Sequence, residues 1–219
     1  MILDVADGRD DVVEPAHRTP RRAVRGFADI VQTARGLTGQ HVIVSMILLA
    51  GVTSFFVGNA YNAQMPGFAQ DLGHGDPGVA YSMLLAADAA GAIVAAVVLE
   101  GRGLLPPKAR TAIVLAMLWC CALTGFALAK SYPLALMLLF TAGFFELSFN
   151  AMAQTLVQVN APVDIRGRVI GLFNMASLGL RAFSGVSVGL LGSFIGVHWS
   201  LGLSALVMLA IASCLLALP

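Results

Sequence analysis

Six long apolar segments constrain what this chain can fold into more than any other feature of its sequence. The segments lie at about residues 42–65, 79–99, 111–129, 133–158, 169–196 and 199–218. Each is close to, or longer than, the roughly 20 residues that an α-helix needs to cross the hydrocarbon core of a bilayer. Only 11% of the residues are charged, so polar groups cannot cover these segments and lipid must do so. The sequence therefore predicts an all-α membrane protein with six transmembrane helices, here called spans one to six.

Two shorter regions precede the first span. Residues 1–20 are polar and carry a cluster of acidic side chains, which favours a disordered leader. In residues 21–40, apolar side chains recur at helical spacing among arginines, which favours an amphipathic helix on the cytoplasmic membrane surface. An ordinary cytoplasmic linker fits the same residues. Residues 41–219 are then expected to form the six-helix transmembrane bundle.

The distribution of basic residues predicts the orientation of the bundle. Arginine and lysine concentrate before span one, between spans two and three, and between spans four and five. Among the loops of the opposite side, only Lys130 is basic. Because positively charged loops stay in the cytoplasm, both termini are predicted to be cytoplasmic.

Polar side chains inside spans four and five recur every three or four residues, so each of these two sets occupies one face of its helix. The polar residues are Thr53, Asn59, Asn62 and Gln64 in span one; Asp88 in span two; Glu146, Asn150, Gln154 and Gln158 in span four; and Asn174, Ser177, Arg181 and Ser184 in span five. Spans three and six carry no charged residue. We therefore expect spans one, two, four and five to surround a polar interior, with spans three and six facing lipid.

Three ionisable residues are expected near the bilayer midplane: Asp88, Glu146 and Arg181. A charge at that depth costs roughly 2.5–3.5 kcal/mol on insertion scales. We therefore expect Arg181 to pair with Glu146 or Asp88, and the remaining carboxyl to be protonated part of the time. Such a group suits a site that loads and releases a proton. A structural ion pair that only stabilises the bundle is the alternative.

Motifs for catalysis or metal binding are weak in this sequence. Residues 185–189 match the G-x-S-x-G pattern of serine hydrolases around Ser187, but that pattern needs a strand–turn–helix elbow. The four histidines lie near or outside the predicted membrane edges, and the three cysteines have no metal-ligand spacing. We therefore expect no catalytic residue, no metal, no cofactor and no nucleic-acid partner. An intramembrane serine enzyme remains a distant alternative.

One part of the chain resembles a known family of membrane proteins. Residues 154–158 (QTLVQ), Pro162 and residues 164–169 (DIRGRV), followed by a glycine-rich helix, resemble the end of span ten, the next cytoplasmic loop and span eleven of the major facilitator superfamily. Residues 78–85 and Gly91 are similar to the start of span eight of that family. The branch that they resemble is that of bacterial exporters of the enterobactin and macrolide efflux type.

This resemblance implies a C-terminal half of a twelve-span transporter, in which the six spans are equivalent to spans seven to twelve. In this family the first, second, fourth and fifth helices of each half line or flank the cavity. One half rocks against the other around a substrate near the midplane. The chain itself departs from the family by lacking the other half, so we expect either that it is a fragment or that it pairs with a second half-transporter or, as a homodimer, with a second copy of itself. The loop around residues 100–103 also lacks the full gating motif of the family.

The expected function is a membrane transporter of the bacterial inner membrane, which exports a small, drug-like or siderophore-like molecule as protons enter. Asp88 and Glu146 are the candidates for carrying protons, and Arg181 is their counter-charge. The candidates for substrate hydrogen bonds are Asn59, Asn62, Asn150, Gln154 and Asn174. The candidates for holding the cytoplasmic loop at the lipid interface are Arg166, Gly167 and Arg168. A scaffold or partner subunit that transports nothing, or a truncated remnant, is the alternative.

Overall fold

The computed structural model describes residues 26–37, 39–58, 60–72, 76–102 and 107–217, without the side chains at 26–29, 60, 77, 100–102 and 185–191. Within these ranges the chain is helical and has no strand. The helices are α1 (Gly26–Gly36), α2 (His41–Phe56), α3 (Ala60–Leu72), α4 (Pro77–Arg102), α5 (Ala109–Ala127), α6 (Tyr132–Asn160), α7 (Arg166–Asn174), α8 (Arg181–Ile195) and α9 (Val197–Ala217). A π-helical turn, Met175–Gly179, joins α7 to α8. The all-helical prediction is confirmed.

Four of the described helices are long and apolar enough to cross a membrane: α4, α5, α6 and α9. They coincide with predicted spans two, three, four and six. Predicted span one is divided into α2 and α3, which meet at 41° and count as a fifth span if taken together. Predicted span five is divided into α7, the π-helical turn and α8. The number of six spans therefore stays a prediction.

The break between α2 and α3 is built around a glycine. Gly58 has a φ of +34°, in the region that favours glycine because it has no Cβ. A Cβ at this position would overlap the carbonyl oxygen of Ser54 and would lie 2.6 Å from the Ser184 hydroxyl of α8. The backbone N–H groups of Val57 and Gly58 both donate to the Thr53 carbonyl, which ends α2. The bend therefore brings α3 close to α8.

The π-helical turn is held by α2. The hydroxyl of Ser54 donates to the backbone carbonyl of Ser177 at 2.5 Å, and both residues are buried. A Cβ at Gly51 would lie 3.3 Å from Leu180 and 3.5 Å from Ala176, so α2 runs close along this turn. A π-helical turn inserts an extra residue into a helix and is frequent at functional sites. Here only Leu180 separates it from Arg181, the first residue of α8.

Burial inside the described bundle is high for a span without charges, whereas the contact of spans three and six with lipid stays a prediction. Half of the apolar stretch of α5 is buried, against 17% of that of α4. The reason is that α5 packs between α6 and α9, where Trp119 stacks on Phe149 with ring centres 6.3 Å apart. The helix that carries Asp88 lies instead at the edge of the bundle and exposes Ile93 and Val97. The uncharged helix α5 is therefore more buried than α4, which carries Asp88.

The region before the bundle is described in part, as helix α1. Residues 1–20, the predicted leader, lie outside the described residues, and α1 lies within the predicted amphipathic region 21–40. On α1, Thr33 is buried, and Leu37 just after the helix is buried as well. This helix therefore packs against the bundle, while its location on a membrane surface stays a prediction.

Candidate functional site

Four side chains from four helices meet inside the bundle: Tyr61 of α3, Asp88 of α4, Glu146 of α6 and Arg181 of α8. We call them the carboxyl seam. Arg181 Nη2 donates to Glu146 Oε1 at 3.3 Å. The Tyr61 hydroxyl lies 2.8 Å from Glu146 Oε2 and 3.2 Å from Asp88 Oδ2. The structure thus brings together the three ionisable residues that the sequence singled out.

The pairing within the seam differs for the two acids. Arg181 forms its ion pair with Glu146, one of the two partners expected for it. Asp88 contacts the Tyr61 hydroxyl instead. Tyr61 was not among the candidates, because an aromatic residue in an apolar segment is typical of a packing residue. The one signal in the sequence was its place between Asn59 and Asn62, in the most polar part of span one.

A close crossing of α4 and α6 places the two acids side by side. A Cβ at Gly143 would overlap the carbonyl oxygen of Asp88 and would lie 3.0 Å from Asp88 Oδ1. A Cβ at Gly91 would overlap the carbonyl oxygen of Phe140. Glycine on both helices therefore lets the two backbones touch. Since Glu146 follows Gly143 by one helical turn, its carboxyl reaches the same level as Asp88.

The seam opens onto a cavity of about 460 Å³ between α4, α6, α7, the π-helical turn and α8. Its lining consists of Asp88, Ala92, Gly143, Glu146, Leu147, Asn150, Gln154, Phe173, Asn174, Ser177, Leu178 and Arg181. Six of the predicted site residues are among them. The volume lies within the range of small-molecule sites, and the lining combines apolar side chains with amides and charges.

Of the other two predicted cavity residues, the structure describes one. Asn59 lies outside the described residues. Asn62 is on α3 but does not line this cavity, and its Oδ1 is buried with no hydrogen-bond partner among the described residues.

Asn150, which does line the cavity, donates through Nδ2 to the carbonyl of Glu146, one turn earlier on α6, at 3.0 Å.

Two polar atoms of the seam have no hydrogen-bond partner among the described residues. They are Asp88 Oδ1 and Arg181 Nε, and both are buried. A buried polar atom without a partner costs free energy, and an ionised group costs more than a neutral one. Burying the unpartnered oxygen of Asp88 therefore costs less free energy when Asp88 is uncharged than when it is a carboxylate.

The predicted cytoplasmic loop residues begin α7. Arg166 and Gly167 are exposed, and a Cβ at Gly167 would meet no atom within 4 Å. Gly167 and Arg168 line a smaller cavity of about 260 Å³ together with Ile30 and Thr33 of α1. The start of α7 thus packs beside α1. Contact of these arginines with lipid stays a prediction.

A second polar cluster lies at the junction of α3, α5 and α9. His198 Nδ1 lies 2.8 Å from the carbonyl oxygen of Ala127, and Nε2 lies 3.3 Å from Asp71 Oδ2. The imidazole ring also meets Phe68 edge-on, with ring centres 4.4 Å apart. Because a carbonyl only accepts, Nδ1 carries the hydrogen of this contact.

The weak enzyme motif does not form its required geometry. Residues 185–189 lie inside α8, so no strand–turn–helix elbow surrounds Ser187. In the part of the chain that the structure describes, no group of three His, Cys, Asp or Glu residues is placed to hold a metal ion.

A family model described as Major Facilitator Superfamily matches residues 10–185 of the chain. The match covers well over half of the sequence and includes all four residues of the carboxyl seam. No curated protein matches the chain, and no solved structure does.

Proposed function

We propose a transport function from the premise that this chain belongs to the major facilitator superfamily. Members of this family are membrane transporters and not enzymes, and the apolar helices of this chain are those of an integral membrane protein. Within the family, we propose a proton-coupled exporter of small molecules. The observation that carries this proposal is the cavity of about 460 Å³ into which the carboxyl seam opens.

The lining of the cavity suits an amphipathic molecule. Leu147, Phe173 and Leu178 offer apolar surface, whereas the amides of Asn150 and Asn174 offer donors and acceptors. A few polar groups on an apolar wall fix the orientation of a ligand while burial supplies most of the affinity. Drug-like or siderophore-like compounds have this mixed character, and we propose them as the substrate class.

The seam is suited to proton coupling because its charge is incompletely balanced. Asp88 and Glu146 supply two carboxyls, while Arg181 supplies a single positive charge. Ionisable residues at membrane depth commonly mark proton or substrate pathways. Binding and release of a proton at these acids would change the charge of the cavity wall, and so the affinity for a substrate.

We further propose that the chain acts as a half-transporter, with a second half or a second copy facing the cavity. Gln154 of α6 and Asn174 of α7 line the cavity and are exposed. Exposed amides are unfavourable against acyl chains, because lipid offers them no hydrogen bond. A facing bundle would cover them and complete the cavity.

The proposed location is the bacterial inner membrane, with both termini in the cytoplasm. Basic residues concentrate on the loops of one side, which in most membrane proteins is the cytoplasmic side. The contact of α1 with the start of α7 supports this orientation, since α1 carries Arg35 and lies beside Arg168.

A non-transporting scaffold is the second candidate. The Arg181–Glu146 ion pair at 3.3 Å favours it, because an ion pair inside a bundle can serve the structure alone. Reconstitution in liposomes separates the two functions. The chain, alone or with its partner half, is placed in vesicles with an imposed pH gradient, and movement of fluorescent amphipathic dyes is followed.

The transporter proposal expects gradient-driven dye movement in the wild type and its loss in Asp88→Asn and Glu146→Gln. Asp76→Asn, just before the helix that carries Asp88, is the matched control, since Asn keeps the side-chain oxygen that accepts from Gly78 N at 2.8 Å. Coupling that survives unchanged in both seam variants would refute the proton-carrying role. A folded wild type that moves none of the dyes would favour the scaffold.

A further inference from the structure

The Tyr61 hydroxyl lies between two carboxyl groups, and it has only one hydrogen to donate. It lies 2.8 Å from Glu146 Oε2 and 3.2 Å from Asp88 Oδ2, both within hydrogen-bond distance. An ionised carboxylate accepts hydrogen bonds but donates none. If both acids were ionised, the hydroxyl oxygen of Tyr61 would therefore lie against one carboxylate oxygen with no hydrogen between the two atoms.

One added proton satisfies both contacts. A protonated carboxyl donates to the hydroxyl oxygen of Tyr61, and the hydroxyl donates to the other carboxylate. Arg181 determines which of the two acids is the charged one. Its guanidinium bonds to Glu146 Oε1 at 3.3 Å and favours the charged form of that acid. The proton consequently belongs on Asp88, whose second oxygen has no partner among the described residues.

The charges of the seam balance in this state. Neutral Asp88, anionic Glu146 and cationic Arg181 sum to zero, whereas two ionised acids and Arg181 leave a charge of −1. Among the residues that the structure describes, the titratable groups that face the site are Tyr61 of α3, Asp88 of α4, Glu146 of α6 and Arg181 of α8. The adjoining π-helical turn contributes Ser177 to the cavity wall, whereas the Ser54 hydroxyl of α2 donates to the Ser177 carbonyl.

We propose that the carboxyl seam binds one exchangeable proton, carried by Asp88, and that Tyr61 is the positioning residue that links Asp88 to the Glu146–Arg181 ion pair. On release, the O–H bond of Asp88 breaks, the proton passes to water at the cavity, and Tyr61 keeps its own hydrogen. Asp88 lines the cavity, whereas Tyr61 is 1% exposed, so exchange occurs through Asp88. This single-proton site deepens the proposed function and rests on it for its role in transport.

Infrared spectroscopy tests the site without any substrate. The purified full chain is placed in lipid nanodiscs, and the carbonyl-stretching band of protonated carboxylic acids is recorded at about pH 7. Ordinary exposed Asp and Glu side chains have a pKa of about 4 and are ionised there. The wild type should show the band of a single buried acid. Asp88→Asn should remove it.

Glu146→Gln should remove the band as well, although it leaves Asp88 in place. With Glu146 gone, Arg181 is the counter-charge of Asp88, which then ionises. Tyr61→Phe should shift the frequency of the band, because the hydrogen bond of Asp88 to the hydroxyl is lost. Tyr132→Phe is the matched control, since its hydroxyl also joins α6 to α4, donating to the carbonyl of Ala80 at 2.8 Å far from the acids.

Three results would overturn the single-proton site: a wild type without the band, a band that survives in Glu146→Gln, or an unchanged frequency in Tyr61→Phe. A wild-type band combined with no transport would refute the proposed function and leave the site standing. Proton-coupled transport without the band would refute the site and leave the function standing.

Discussion

Replacing Gly143 by alanine should separate α4 from α6 and disconnect the carboxyl seam. The added Cβ would overlap the carbonyl oxygen of Asp88 and lie 2.9 Å from its carbonyl carbon, where ordinary contact begins at 3.4 Å. The backbones must therefore move apart by at least about 0.5 Å, because neither atom belongs to a flexible side chain. Overpacking of this kind costs roughly 1–3 kcal/mol of stability.

The same movement acts on the hydrogen bond of Asp88. Its Oδ2 lies 3.2 Å from the Tyr61 hydroxyl. A displacement of about 0.5 Å away from this hydroxyl would lengthen the O–O distance beyond the range in which a hydrogen bond forms. Gly143→Ala should accordingly shift the infrared band of the protonated acid in the same way as Tyr61→Phe. Loss of stability and loss of the seam contact are thus expected together.

Gly171→Ala provides the control of opposite sign. A Cβ at Gly171 would meet no atom within 4 Å, and this residue lies inside α7. Alanine is the better helix former by about 1 kcal/mol, so this variant should be as stable as the wild type or more so. Thermal unfolding in nanodiscs measures both variants. A Gly143→Ala protein that matches Gly171→Ala in stability would refute the close crossing.

Two further predictions concern single hydrogen bonds and use the same unfolding measurement. Ser54→Ala should cost about 1–3 kcal/mol, because it leaves the buried carbonyl of Ser177 in the π-helical turn without its donor, whereas exposed Ser82→Ala should cost little. His198→Ala should cost about 1–3 kcal/mol by removing the donor to a backbone carbonyl of α5, whereas Asp71→Asn, whose side chain is 59% exposed, should cost less than about 1 kcal/mol. Equal effects within either pair would contradict the assigned contacts.

The sequence predicted the helical segments and half of the residues that line the cavity, for a clear physical reason. Apolar length and low charge determine which segments can cross lipid, and steps of three and four residues determine which side chains share a face. Asp88, Glu146 and Arg181 stood out because an ionisable residue in an apolar segment is costly unless it meets a partner. They meet in the structure, on three different helices.

Features that depend on contact between helices were not predictable in the same way. Tyr61 became part of the seam only because α3 bends at Gly58 and approaches α4 and α6. The π-helical turn before Arg181 has no spacing signal, since it differs from an α-helix by one extra residue that α2 stabilises from outside. Apolar side chains likewise did not reveal that α5 would be buried between α6 and α9.

The most direct test of the account is the charge balance of the seam, measured by the same infrared band in two variants. Glu146→Gln leaves one acid and one cation, and the band should disappear. Adding Arg181→Gln to that variant leaves Asp88 buried without any counter-charge, and the band should return. A band that is equally strong in the wild type, the single variant and the double variant would contradict the claim that Arg181 decides where the proton resides.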